Sequence, residues 1–261
     1  MITNGVWFII VAYKADKNAL KLLISALKDF HVIVISNDNT AYRDVVPGDY
    51  KEIKNSINMG YGGGANVGMR YALSRKAKWL VVLNQDLVLS FKSAKDFATK
   101  LTKSPSCVAG PFAGGLDRRR WTTRLPSRQT DYITGSCFAI HRKVIETVGY
   151  FYEPYFLYYE EVDYCVRARL LGFPIKHLHL RDISHNETET LGQGSFLHQY
   201  YLSRNHLLFV WRLAPAPVKL YELFRSTKTV SEHIVRHEKG ALKGIKDFLF
   251  GRFGEYAGRG L

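Results

Sequence analysis

The chain predicts an α/β fold in which a mostly parallel central sheet is flanked by helices and followed by a C-terminal helical extension. Three observations carry this. Residues 6–13, 32–35 and 79–83 are apolar runs too short for helices, and they read as strands buried on both faces. Leu20, Leu23, Leu27 and Phe30 repeat at helical spacing between the first two runs. Strand, helix and strand therefore form a β-α-β unit with a right-handed crossover. From Gly194 onward the pattern is helical, interrupted at Pro215 and Pro217. The expected division is a sheet-based domain over residues 1–211 and a basic helical extension over 212–261.

The other elements follow in order. Residues 50–54 suggest a short, more exposed strand. A Gly-rich turn from Asn58 to Asn66 leads into a helix ending near Arg75, and the strand over 79–86 closes on Asn84, Gln85 and Asp86. A helix over 91–101 precedes a strand near 107–112. The stretch 113–129 is rich in Gly and Arg without a period, and so long a loop in a compact domain is usually a lid, a binding loop or disordered. A strand over 134–142 and a short helix stopped at Gly149 come next. An amphipathic helix over 160–171 is closed by Gly172 and Pro174, and a last strand covers 174–180.

Composition narrows the function. With 261 residues, 46% hydrophobic and 23% charged, the chain is an ordinary soluble globular protein. No apolar run approaches the roughly 18 residues that span a bilayer. Residues 6–13 lack a basic flank and a cleavage site, so they form a strand and not a signal peptide. Cys107, Cys137 and Cys165 stand far apart beside apolar residues. They suit buried thiols in a reducing, cytoplasmic setting and exclude a disulfide framework or zinc site. The net charge of +14 attracts nucleic acid, anionic lipid headgroups or phosphorylated substrates. Arg118, Arg119, Arg120, Arg124 and Arg128 cluster in one segment, and residues 212–261 hold ten Lys/Arg against five Asp/Glu.

Several residues point to chemistry. An acid at the C-terminal end of a buried strand, such as Asp86, faces the crevice where open α/β sheets bind ligands. It can ligate a metal there or cap the next helix. Gly60-Tyr-Gly-Gly-Gly-Ala65 fits the dinucleotide pattern G-x-G-x-x-[GA], but that pattern should open the first β-α-β unit after an apolar strand. Residues 50–58 are largely polar, so the dehydrogenase reading is set aside. The glycines can still bring backbone amides close to an anion, or serve a tight turn and close helix–sheet packing. Glu160, Glu161 and Asp163 crowd one helix start. Capping accounts for at least one of them, and an ionised carboxylate beside a cleft can act as a general base. Asp163 and Arg167 are also spaced for an ion pair. His185, in a polar stretch, is either a surface residue or a metal partner for Asp86.

Together these pieces resemble the family 2 glycosyltransferases, of GT-A fold, and particularly the branch of bacterial rhamnosyl- and galactofuranosyltransferase-like enzymes. The resemblance runs in order from about Val6 to Trp211. It rests on Val-Ala-Tyr-Lys at 11–14, Ile-Ser-Asn-Asp-Asn-Thr at 35–40, Asn58-x-Gly-Tyr-Gly-Gly-Gly-x-Asn66 and Leu-Asn-Gln-Asp at 83–86. Thr-Gly-Ser at 134–136, Glu-Glu-Val-Asp at 160–163, His185 and Tyr-Tyr-Leu-Ser-Arg-Asn at 200–205 complete it.

The resemblance implies inverting transfer of a sugar, rhamnose favoured, from a dTDP- or UDP-sugar to a glycan or polyprenyl-diphosphate-linked acceptor. The setting implied is bacterial surface polysaccharide or O-antigen assembly. Mn²⁺ or Mg²⁺ is implied on the donor diphosphate, held by Asp86 and His185, with Asn84 where the family often has Asp. Glu161 matches the general base, usually Asp, while Glu160 and Asp163 stay candidates, and the base is expected to be ionised at an ordinary pKa. Ala12, Tyr13, Ser36, Asn37 and Asp38 match the base and ribose contacts. Asn58, Gly60, Gly63 and Asn66 match the loop approaching ribose and diphosphate, with Asn84 and Gln85 beside it. Arg204 is implied as counter-charge for the leaving diphosphate, and Thr134, Gly135 and Ser136 as acceptor contacts.

The extension interleaves Leu242, Ile245, Phe248, Leu249 and Phe253 with Lys and Arg. It suits either docking on an anionic inner leaflet or packing on the domain with a solvated basic face. Two other readings compete. A nucleic-acid-binding protein would use the 118–128 loop, but no recognised nucleic-acid motif accompanies it. A catalytically inactive assembly protein would explain Asn84 and Glu161, yet both still offer oxygen atoms.

Overall fold

The structure, a computed structural model, describes residues 5–125, 127, 129–185, 192 and 194–258. Strand β1 (Val6–Ala12), helix α1 (Lys17–Ala26) and strand β2 (His31–Ser36) open the chain. They are followed by β3 (Lys51–Lys54), α2 (Gly60–Ser74), β4 (Trp79–Asn84), β5 (Leu87–Leu89) and α3 (Phe91–Thr102). Next come β6 (Val108–Gly110), β7 (Ala113–Leu116), β8 (Thr123–Arg124), β9 (Tyr132–Ile133), β10 (Cys137–His141) and α4 (Arg142–Val148). The last elements are α5 (Glu160–Leu170), β11 (Ile175–His177), β12 (Ile183–His185), α6 (Phe196–Leu213), α7 (Ala216–Val235) and α8 (Lys239–Leu249).

Seven strands form the central sheet in the order β11-β6-β10-β4-β1-β2-β3. All neighbours are parallel except β10, which runs antiparallel to β4 and β6. Successive residues of a strand point to opposite faces. Ile9, Ile33, Leu80 and Val82 thus join one apolar cluster, while Phe8, Ile10, Val32, Val34, Val81 and Leu83 join another. Burial on both faces is why these strands read as continuous apolar runs. Residues Ala12, Ser36 and Asn84 end β1, β2 and β4 at one crest, and the loops leaving that crest build the site.

The Gly-rich stretch forms the first two turns of α2 itself, and close packing explains most of its glycines. A side chain at Gly68 would come 2.4 Å from Ile9 Cγ2, and one at Gly64 would come 2.9 Å from Val11 Cγ1. Gly60 has φ +71° and lies so close to the Phe156 carbonyl that a Cβ would be 2.2 Å from its oxygen. Only glycine fits there.

Three expectations change. The stretch 113–129 is partly a small sheet, in which β7 pairs antiparallel with β8 and β9 and Trp121 is buried. Its Arg118 binds Asp131 at 2.6 Å, and Arg169 of α5 binds the same carboxylate at 2.8 Å; Arg128 lies outside the described residues. His185 is in a strand and not a loop, because β12 pairs antiparallel with β5. Two strands of three residues are too short to show alternation. The 211 boundary falls inside α6, and α8 packs on α6 through Gly240, Ala241 and Gly244, where a Cβ at Gly244 would come 2.4 Å from the Tyr200 carbonyl oxygen. Among the described residues no helix is long and apolar enough to cross a membrane. The three cysteines are buried and free.

Candidate active site

Beyond the end of β4, Asp86 meets the short β5–β12 ribbon. His185 Nε2 lies 3.1 Å from Asp86 Oδ1 and 3.1 Å from Asn84 Nδ2. With the amide as placed, no neutral tautomer satisfies both contacts: a protonated Nε2 opposes the Asn84 N–H, and a bare one faces the carboxylate. A cation between the ring lone pair and the carboxylate would relieve this. Two ligand atoms at right angles, each about 2.1 Å from one cation, lie about 3.0 Å apart, so the observed spacing fits. Oxygen and imidazole donors suit Mn²⁺ or Mg²⁺. Among the described residues no cluster of three His, Cys, Asp or Glu side chains occurs, so any ion here would take its remaining ligands from donor and water.

The three clustered carboxylates at the start of α5 have different surroundings. Asp163 is fully buried; Arg167 Nε donates to its Oδ1 at 2.6 Å, and Tyr155 Oη and Arg212 Nε donate to its Oδ2 at 3.0 and 3.2 Å. It is a structural ion pair, which removes it as a base candidate. Glu160 is also buried, with Oε2 lacking a hydrogen-bond partner among the described residues. Burial first, then the charge of Glu161, holds its carboxyl well above the ordinary range, so Glu160 keeps its proton. Glu161 alone is partly open to solvent. Burial pushes its carboxyl up to about 7, against the expectation of an ordinary value. A base with a pKa near the working pH is well matched to proton abstraction.

A strained loop aims this helix start. Phe156, Tyr158 and Tyr159 have φ of 67°, 66° and 75°, a left-handed region that side chains rarely adopt. Tyr61 joins the two halves of the site: its hydroxyl donates to the Gly135 carbonyl. Burial, then the negative charges nearby, those of Glu161 and Asp86 among them, keeps that hydroxyl protonated. The hydroxyls of Tyr132 and Tyr159 both meet Thr123 and lie within the field of Glu161. No spacing rule singles out Tyr61, Tyr132 or Thr123, because each reaches the site through pairing across many residues.

The residues expected to contact donor and acceptor divide into two groups. Tyr13, Asn84, Gln85, Thr134 and Gly135 are half-buried along the crest. Gln85 fixes Tyr13 by accepting from its N–H at 2.7 Å and donating to its carbonyl at 3.1 Å. Ser136 accepts the Asn84 N–H at 3.1 Å, and its hydroxyl meets that of Thr134 at 2.8 Å. The others hold the scaffold. The Ala12 carbonyl accepts the Asn37 N–H at 2.7 Å. Asn37 is buried and binds Asn55, Asn58 and the Gly60 carbonyl. Asn58 Oδ1 also accepts the Gly60 N–H at 2.9 Å, and Gly63 abuts Met59. Asp38 accepts from the Lys14 and Thr40 amides and from the hydroxyls of Ser36 and Tyr42. Burial opposes its ionisation, but these donors outweigh it and hold the carboxyl below its ordinary value. Asn66 is buried against residues 151–153, donating to the Phe151 carbonyl at 3.0 Å and to Glu153 at 2.9 Å.

Arg204 is a correction to the expected counter-charge role. It is fully buried, and each of its five N–H groups has a protein acceptor: Asn205 Oδ1, Tyr200 Oη and the carbonyls of Pro154, Tyr155 and Gly254. Asn205 Nδ2 adds bonds to the carbonyls of Tyr155, Leu157 and Tyr158. The pair therefore holds the left-handed loop that aims Glu161. Arg204→Lys is expected to lower the melting temperature and to reduce kcat while leaving donor KM nearly unchanged, because an ammonium cannot reproduce the planar fork. A rise in donor KM with kcat unchanged would restore the diphosphate role.

The sheet order and its flanking helices form the GT-A fold of glycosyltransferases of known structure. The model described as glycosyl transferase family 2 matches residues 7–167, and the chain belongs to that family. The chain is 28% identical over 225 residues to the low-salt glycan biosynthesis hexosyltransferase Agl10 of Haloferax volcanii, covering 77% of this chain and 73% of that protein. It is 22% identical over 294 aligned positions to the dTDP-rhamnosyl transferase RfbF of Shigella flexneri, covering 96% and 98%. Over 115 residues it is 30% identical to an N-acetylglucosaminyl-diphospho-decaprenol L-rhamnosyltransferase of Mycobacterium tuberculosis, covering 41% and 36%. Two solved structures share the fold. GalNAc-T7 with UDP, GalNAc and Mn²⁺ has a TM-score of 0.60 at 12% identity, over 94% of this chain and 56% of that one. S. aureus TarS 1-349 in complex with UDP-GlcNAc has 0.59 at 16%, over 94% and 80%.

Proposed function

We propose that this glycosyltransferase moves a hexosyl group, rhamnose favoured, from a dTDP- or UDP-sugar to a hydroxyl of a glycan or polyprenyl-diphosphate-linked acceptor. The anomeric centre inverts, and the product enters surface polysaccharide at the cytoplasmic side of the membrane. The observation that carries this reading is the pairing of a half-open Glu161, with its pKa near 7, with the Asp86–His185 pair across Tyr61. Glu161 takes the proton from the acceptor hydroxyl as its oxygen attacks the anomeric carbon, and the bond to the diphosphate breaks on the opposite face. Protonated Glu160 keeps a second negative charge away from the base. Tyr61 and the 134–136 turn border the place the acceptor must occupy, and Gln85 fixes Tyr13 for the nucleotide. Asp86 and His185 would hold a divalent cation, which when bound offsets charge on the departing diphosphate.

The test is a thermal-shift panel of dTDP-, UDP- and GDP-sugars with Mn²⁺, since a selective ligand stabilises the fold by mass action. A shift with one nucleotide class, abolished by EDTA and restored by Mn²⁺ or Mg²⁺, is expected together with matching sugar transfer. Undiminished transfer in excess EDTA would remove the cation from the reading, and no shift with any nucleotide sugar would remove the donor.

A further inference from the structure

Helix α7 turns its back on the protein in an unusual way. Its buried stripe contains Val218 and Glu222, and the opposite side is open. At 100° per residue, Leu220, Leu223, Phe224, Ile234 and Val235 fall within an arc of about 120°. Each is more than half exposed. The other residues of that arc, Ala216, Pro217, Thr227 and Ser231, are also exposed and uncharged. Five turns of helix thus present an apolar face without a single charge. Trp211 extends it from the end of α6, 65% exposed, with the Lys219 ammonium 5.8 Å from its ring centre. Lys219 and Lys228 flank the arc, Arg236 and Lys239 follow it, and Glu232 is the one acid along its edge.

We infer that this face of α7 rests on an anionic lipid bilayer. Apolar residues in one arc and cations along its margins suit a helix lying in the membrane interface, with an aromatic anchor at one end. A second copy of this chain would carry the same +14 charge and be repelled, whereas anionic headgroups are attracted. The seat differs from the one expected for the extension, because α8 turns Gly240, Ala241 and Gly244 inward and packs on α6.

Its place beside the site gives the docking a purpose. Glu222, on the inner side of α7, is 3.4 Å from His206, whose other ring nitrogen is 3.3 Å from the Tyr159 hydroxyl at the start of the base helix. Arg119, in the turn between β7 and β8, stacks over Tyr221 of α7 at 5.0 Å. A bilayer under α7 would therefore lie on the base side, where a lipid-linked acceptor must arrive. This purpose rests on the proposed acceptor, but the docking itself needs no turnover and is measured apart from it.

The experiment is co-sedimentation of the full chain with phosphatidylcholine vesicles, with and without phosphatidylglycerol, at low and high salt. Binding is expected only with phosphatidylglycerol and is expected to weaken at high salt. L223D/F224D should reduce it at least tenfold, and K219E/K228E severalfold, with circular dichroism and the nucleotide-induced thermal shift unchanged. Failure of the wild type to bind overturns the inference. So does wild-type binding by L223D/F224D, or loss of binding in F250D instead. A wild-type dimer that L223D/F224D converts to monomer, without vesicle binding, assigns the face to a second copy and also overturns it.

Discussion

Replacing Glu161 with Gln is expected to lower kcat by roughly 10³-fold while leaving nucleotide-sugar binding intact, the scale of loss when a positioned general base is removed. The side chain keeps its size and loses only its capacity to accept a proton. In the wild type, kcat/KM should fall about tenfold per pH unit below about 7, because burial holds the Glu161 carboxyl there. The same group should leave a mark on stability. A raised carboxyl keeps its proton in the fold at pH values where the unfolded chain has lost it. The resulting stabilisation is complete below about 4.5 and is lost as pH rises through about 7. Gln at 161 escapes that loss. The variant should therefore be more stable than the wild type at pH 8, on the order of 1–3 kcal/mol, and equal to it at pH 4.5. Calorimetry at the two pH values checks this, and equal melting temperatures at pH 8 would mean that Glu161 carries no such strain.

Asp86→Ala should abolish transfer by a different route. It removes one of the two side chains placed to hold a divalent cation and leaves His185 beside Asn84 alone. Titration calorimetry of the free nucleotide diphosphate with and without Mn²⁺ separates the routes: the Mn²⁺-dependent part of binding should vanish in Asp86→Ala and persist in Glu161→Gln. Full Mn²⁺-dependent binding by the Asp86 variant would place the ion elsewhere. His185→Ala should weaken the same binding less, because imidazole contributes no formal charge.

Much of the fold was legible because strands buried on both faces cannot hide: the runs at 6–13, 32–35 and 79–83 are β1, β2 and β4. The site was legible where a short motif sits on one element, as with Glu160 to Asp163 at the start of α5. It was not legible which of the three acids faces solvent, since that depends on left-handed Tyr159 and on Arg212, nearly fifty residues further on. The glycines of α2 and the amides of Asn37 and Asn66 could equally have touched a ligand or the chain itself. Only the structure shows Ile9 beside Gly68 and Phe151 beside Asn66. Arg204 misled for a related reason: a cation near a phosphate-binding fold invites an anion, and here five backbone and side-chain oxygens from the chain itself occupy it.

The bond from Arg204 to the Gly254 carbonyl, with the Gly254 N–H returned to the Pro154 carbonyl at 2.8 Å, bears on how the enzyme is made. Translation delivers the crest first and residue 254 late. A nascent chain can thus assemble its nucleotide half on the ribosome while the loop beneath the base still lacks its last clasp. A chain cut before residue 254 is therefore expected to fold its nucleotide half and still lack transfer, because both bonds to Gly254 are missing.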